Sequence, residues 1–367
     1  MALSEDAKNE ASSQSASAEG TLEFGGRIYL DGLASDPRKL EWMKGFPPSA
    51  SKQITYEGGR YMAFPEIRWS LSHMRELVPT VSVGRSDEAG VSFNEPSPAD
   101  TAAVEALAFR DMNGRSRRFD EALFDTYTDG IMVLHRGRVV FERFFGALER
   151  KIPHACFSVT KSYAGTLAAA LVHEGVLDEG KLFSHYLPEL RGTAWEDATL
   201  RQVMDMQTGM DYVEDEVDDQ SRAAIYMRAC RTRSRPANYD GPQTSCEFLY
   251  TVRKDGEHGK IFSYKSVNTQ VMAWVMSRVT GRSFAQLLHE RLWAPLGCED
   301  DGYLVIDPAG MSSASGGLYA SLRDMARFGE LIRQEGEWNG RQILPASVIA
   351  DIRRGGDRAK FSARGMP

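Results

Sequence analysis

The sequence predicts an α+β fold, a helical lobe packed on an antiparallel sheet, and three patterns predict it. First, in "DGIMVLHRGRVVFERFFG" two apolar runs flank His135-Arg136-Gly137-Arg138, the pattern of two antiparallel strands joined by a tight turn near residues 129–146. Second, from Val159 to Glu174 the small and apolar positions Ala164, Leu167, Ala168, Leu171 and Val172 recur at helical spacing, and Gly175 supplies a stop. The same spacing returns in "TLRQVMDMQ", where Thr199 can cap, and in "SVNTQVMAWVMSRVTG", "SFAQLLHERLWAPLG" and "SLRDMARFGELIRQEG". Third, residues 21–100 are rich in Pro, Gly and Ser with only brief apolar runs, as expected of an arm wrapped over a domain. The organisation expected is therefore a disordered tail over 1–20, a wrapping arm over 21–100 and a folded domain over 101–367.

Composition narrows the function classes. The formal charge of -7 is modest for 367 residues, and acidic and basic residues are interleaved, so no surface is built to follow a phosphate backbone. The basic run "RACRTRSRP", Arg228 to Pro236, reads as a solvated loop face. Cys156, Cys230, Cys246 and Cys298 are widely spaced and read as reduced thiols, which fits the cytoplasm. The start carries no basic end followed by an apolar stretch, and nowhere do about 18 apolar residues run uninterrupted.

The chemistry centres on "CFSVTKSYAGTL", where Ser158 stands three positions before Lys161 at the head of the first helix. A serine hydroxyl is a poor nucleophile until a base lies within hydrogen-bond reach and donors face the developing oxyanion. Residues i and i+3 share a helix face, so the Lys161 amine can fold back toward the Ser158 hydroxyl, while the amide of Ser158 is among the unpaired N–H groups of the first turn. Lysine amines are ordinarily charged at neutral pH, so such a base demands a dry, positive site. Ser-x-x-Lys alone is a weak signal: "SASK" repeats it at Ser49 and Lys52, with no helix behind it.

A second motif, "FSYKSVNTQVMAWVMSRVTG", places Tyr264 and Ser266 at the entrance to a later helix. Ser-x-x-Lys heading an apolar helix, then "EGVLDEGKLFSHYLPEL", "MDMQTGMDYVED", Tyr-x-Ser before a helix closing on "RVTG", and "ASGGLYASLRDMARFG" together resemble the serine beta-lactamase and penicillin-binding-protein superfamily. Within it the chain resembles the class C-like esterase branch and the nylon-oligomer amidases, the 6-aminohexanoate-dimer hydrolases, from about Arg60 onward. The resemblance implies that Ser158 is the acylated nucleophile, Lys161 its activating partner and Tyr264 the relay of a proton to the leaving amine or alcohol. It implies that Tyr212, in "GMDYVED", lies over the substrate, and that Ser266 borders the substrate where relatives often carry asparagine. That exchange makes penicillin-type substrates less suitable. The stretch from Glu214 to Cys246 is expected to line the acyl pocket.

The resemblance also implies a third motif, a Lys-Thr-Gly or His-x-Gly triplet on a late strand, which would lie beyond Pro367 together with most of the central sheet. The expected fold is thus beta-lactamase/DD-peptidase-like, with the C-terminal sheet strands expected to be missing. Losing one oxyanion donor costs on the order of 100-fold or more in rate, and an uncovered sheet edge invites association, so a homodimer is among the expected assemblies.

Other chemistries find little support. There is no Gly-x-Ser-x-Gly elbow, the seven histidines are scattered without metal-ligand spacing, and no Gly-rich phosphate loop occurs. His173 and His289 read as ordinary surface or core residues. The expectation is a serine hydrolase acting on a small-molecule amide or ester, with no cofactor, metal, nucleic acid or membrane. A catalytically silent binding or scaffold protein and a beta-lactamase or DD-peptidase stand as alternatives.

Overall fold

The computed structural model describes residues 20–362 apart from 25, 87–89, 91 and 216. Of the expected tail over 1–20, all but Gly20 lies outside the described residues. The described residues form two compact units, those within 1–74 with those within 92–152, and those within 75–91 with those within 153–367.

In the first unit the expected hairpin is present, Gly130–His135 pairing antiparallel with Arg138–Phe144. Its two-residue turn, Arg136-Gly137, has positive φ at both positions (52° and 78°), the backbone twist that matches two right-twisted strands. Val139 and Phe141 alternate onto one face and are fully buried, and Phe119 meets Phe141 edge-on at 5.7 Å. Asn94 acts as a one-residue strand partner: its amide donates to the Val139 carbonyl at 3.1 Å and accepts from the Val139 N–H at 3.0 Å. The buried Arg68 pairs with Asp129 at 3.2 Å and donates to the Gly32 carbonyl and Ser35 Oγ, so its charge is compensated as burial requires.

The second unit carries the helices and a four-stranded antiparallel sheet in the order Thr80–Val83, Gly302–Val305, Leu318–Ala320, His154–Ala155. All four residues of Gly302–Val305 are buried, and Tyr303 stacks on its cross-strand partner Tyr319 at 4.6 Å.

Each expected helix of this unit forms. Thr160–His173 buries Ala164, Leu167, Ala168 and Leu171, Leu167 and Leu171 alone contributing about 2 kcal/mol each. It ends where Gly175 turns left-handed (φ 73°) and Val176 N–H reaches back to the Leu171 carbonyl, a Schellman-type stop. Leu200–Met204 opens on a capping box in which Thr199 and Gln202 satisfy each other's backbone N–H. Ser266–Thr280 closes on left-handed Gly281, Phe284–Leu288 continues as a π turn through Trp293, and Ser321 caps Leu322–Arg333.

One expectation changes. The basic run at 228–236 is not a free solvated face, because Arg228 is buried against Asp219 and Arg235 donates to the Arg228 and Gln243 carbonyls. Backbone carbonyls and one carboxylate absorb charges that composition alone assigns to water. The four thiols are free, and among the described residues no helix is long and apolar enough to cross a membrane.

Candidate active site

Ser158 occupies a 3-10 turn, Phe157–Val159, that runs into the Thr160–His173 helix. The turn is pinned on both sides by one strand. Cys156 N–H donates to the Leu318 carbonyl at 2.9 Å, and Leu318 N–H donates to Thr160 Oγ1 at 3.2 Å. Between these anchors Phe157 adopts a left-handed conformation, φ 42°, which costs a non-glycine residue on the order of 1 kcal/mol and is typical of functional turns.

Lys161 stands one helical turn on, and its Nζ lies 3.0 Å from Ser158 Oγ. The Tyr264 hydroxyl, from just before the Ser266–Thr280 helix, donates to the same Oγ at 2.7 Å. Lys161 Nζ also donates to the Ser315 carbonyl at 2.5 Å and sits 4.9 Å from the centre of the Tyr264 ring. Lys161 and Tyr264 thus meet on the single oxygen of Ser158, and the Ser315 carbonyl holds the amine from its other side. The neighbouring thiol is no rival nucleophile, since burial pushes Cys156 up to about 12 and keeps it protonated.

The setting is less dry than the sequence reading requires. Ser158 and Phe157 are exposed and Tyr264 is 40 % exposed, while Lys161 is half-buried. The reason is positional: the buried face of the helix begins at Thr160, and Ser158 lies in the turn ahead of it. Beside Lys161 a cavity of about 1040 Å³ opens, with Ser162, Gly165 and Thr166 along its helix wall and Phe262, Met272 and Phe328 adding apolar surface.

The structure gathers Ser158, Lys161 and Tyr264 and places Tyr212 and Ser266 differently. Tyr212 is 1 % exposed, its ring edge-on to Tyr226 and Phe248 and its hydroxyl 3.2 Å from Glu214 Oε2. The other Glu214 oxygen accepts the N–H of Ser266, so a carboxylate joins both residues at a helix N-terminus, where negative charge is favoured. Lys265, between Tyr264 and Ser266, is 5 % exposed and donates to the Tyr212 carbonyl at 2.6 Å and the Met210 carbonyl at 3.3 Å. The 210–214 loop is therefore stitched to the turn that presents Tyr264.

Glu214, Lys265 and the Ser315 carbonyl escaped sequence reasoning. The carbonyl carries no residue-type signal, and a lysine beside a motif reads as solvent-exposed. The second Ser-x-x-Lys behaves differently: Lys52 Nζ donates to the Leu40 carbonyl, and Ser49 Oγ faces Ser51. Among the described residues no group of His, Cys, Asp and Glu is arranged to hold a metal ion.

Comparison with known proteins agrees with this architecture. The Beta-lactamase family matches residues 119–367. The 6-aminohexanoate-dimer hydrolase of Paenarthrobacter ureafaciens is 33 % identical over 323 residues, spanning 88 % of this chain and 78 % of that protein. A solved Bacillus anthracis structure, described as a 6-aminohexanoate-dimer hydrolase, superposes with a TM-score of 0.77 at 31 % identity, covering 86 % of this chain and 80 % of that one. With more than half its length matched by the family and a relative of this identity along most of it, the chain belongs to the beta-lactamase family of hydrolases.

Proposed function

We propose that the protein is a serine hydrolase that cleaves linear amides, with carboxylic esters as easier side substrates, through an acyl-enzyme on Ser158. One observation carries this reading: Ser158 Oγ lies 3.0 Å from Lys161 Nζ and 2.7 Å from the Tyr264 hydroxyl. A nucleophile needs a proton acceptor and the departing amine needs a proton donor, and both groups touch the one oxygen that exchanges them.

In the proposed reaction Ser158 Oγ attacks the substrate carbonyl carbon while its proton passes to Lys161. The Ser158 N–H, in the first turn, meets the oxyanion. The C–N bond then breaks as Tyr264 gives its proton to the leaving nitrogen and recovers one from Lys161. Water then attacks the ester carbonyl, losing a proton to the same pair, which returns it to Ser158 Oγ as the acyl C–Oγ bond breaks. The names of the two relatives favour a linear amide such as the 6-aminohexanoate dimer.

The test is release of primary amine from the 6-aminohexanoate dimer by the full chain and by its Ser158→Ala variant. Turnover abolished by the substitution supports the reading. Folded protein that releases no amine from the dimer and no nitrophenol from short acyl esters would favour a silent binding protein of this fold.

A further inference from the structure

We propose that Gln270 is a positioning residue that sets Lys161 through the Ser312–Ser315 loop; the proposal rests on the serine–lysine reading above. Lys161 Nζ has two acceptors, Ser158 Oγ and the Ser315 carbonyl, and the latter is the closer at 2.5 Å. Whatever fixes that carbonyl fixes the direction of the amine.

The carbonyl belongs to the segment between Gly302–Val305 and Leu318–Ala320, and Gln270 holds this segment from outside. Its side chain is completely buried. The amide Nε2 donates to the Ser312 carbonyl at 3.0 Å, and Oε1 accepts the Ala314 N–H at 3.0 Å. A primary amide presents an uncharged donor and acceptor side by side, as a peptide group does, so Gln270 fills the place a neighbouring strand would take. Tyr226 adds a second hold. Its hydroxyl lies 3.0 Å from Ser315 Oγ and 3.4 Å from Gln270 Oε1, and burial keeps the phenol protonated, well above the usual tyrosine range.

The remaining contacts leave the segment little freedom. Ser313 N–H donates to the Val305 carbonyl, and Gly317 N–H to that of Ser313. Gly317 packs so closely that an added Cβ would lie 2.6 Å from Ser313 Cβ. A rigid carbonyl at one end and the Ser158 turn at the other hold the amine between them. Because hydrogen bonds are directional, displacing the carbonyl by a fraction of an ångström redirects the amine away from Ser158.

A merely structural glutamine would affect any reaction of the folded protein alike, and a double-mutant cycle separates the two cases. The readout is the rate at which a fluorophosphonate labels the full chain, for the parent, Gln270→Met, Lys161→Ala and the double variant. Methionine keeps the volume and loses both hydrogen bonds. The expected result is a slowing on the order of 10- to 100-fold by Gln270→Met when Lys161 is present, with KM for p-nitrophenyl acetate within about 3-fold of the parent. In the Lys161→Ala background the same substitution changes labelling by less than about 2-fold.

An equal drop in both backgrounds, or no drop in either, overturns the proposal while leaving the serine–lysine reading intact. That reading fails separately if Lys161→Ala alone leaves labelling unchanged. Should Gln270→Met lose its near-ultraviolet circular dichroism, Tyr226→Phe replaces it in the same cycle, with a smaller drop that again requires Lys161. A drop indifferent to Lys161 overturns the proposal in that form too.

Discussion

Replacing Tyr264 by phenylalanine removes one atom from the network and leaves the rest in place. The ring is 40 % exposed and lies beside Lys161, so its packing persists and stability changes by less than about 0.5 kcal/mol. What disappears is the 2.7 Å hydrogen bond to Ser158 Oγ. A hydrogen bond onto an oxygen that gains charge contributes about 1.5–3 kcal/mol, roughly 10- to 150-fold in rate. For an amide the variant also lacks the acid that protonates the leaving nitrogen, a further factor on the order of 100-fold or more. A nitrophenolate leaves without a proton, so a nitrophenyl ester feels only the first loss. The assay is kcat/KM of Tyr264→Phe on both substrates, by amine release and by nitrophenol absorbance. The amide rate should fall much further than the ester rate. Equal, small losses below about 3-fold on both would refute the assignment of Tyr264 to proton handling.

Other consequences concern the scaffold. His258 Nδ1 accepts the Gly209 N–H at 3.1 Å while Nε2 faces Asp197; burial, aided by Lys254 and opposed by Asp197, lowers its pKa from 6.5. The folded state therefore favours the neutral ring, so its contribution is present above about pH 6.5 and is lost as pH falls through the lowered value; thermal melts should show this loss, and His258→Gln should remove it. Lys265→Met should destabilise the protein by about 2 kcal/mol, because the Tyr212 and Met210 carbonyls lose a charged donor, read as a shift in urea midpoint. Asp324 is buried, pairs with Arg327 at 3.0 Å and accepts hydrogen bonds from the Ser321 hydroxyl and the Glu299 and Asp300 N–H groups; Asp324→Asn should cost about 3 kcal/mol by leaving a buried guanidinium beside a neutral amide, and an unchanged urea midpoint would contradict this.

What could be read from the sequence was local. The hairpin turn, the capping residue Thr199 and the glycine stops depend on a few consecutive residues, and the structure has each of them. Ser158 and Lys161 share a helix face by spacing alone. Tyr264 needed the order of motifs, since its contact with Ser158 spans 106 residues. Side-chain direction was beyond reach: "GMDYVED" gives no sign that the Tyr212 ring turns inward against Tyr226 and Phe248. Nor does any pattern reveal that a backbone carbonyl 154 residues away receives the Lys161 amine, or that Lys265 is sequestered by two carbonyls while its neighbour Tyr264 stays exposed.

The most direct test of the account is intact-mass analysis of the folded chain after fluorophosphonate treatment, followed by peptide mapping. The expected result is a single stoichiometric adduct on Ser158, formed far more slowly in Lys161→Ala. An adduct at another residue, or an unmodified Ser158 in protein shown to be folded, would contradict it.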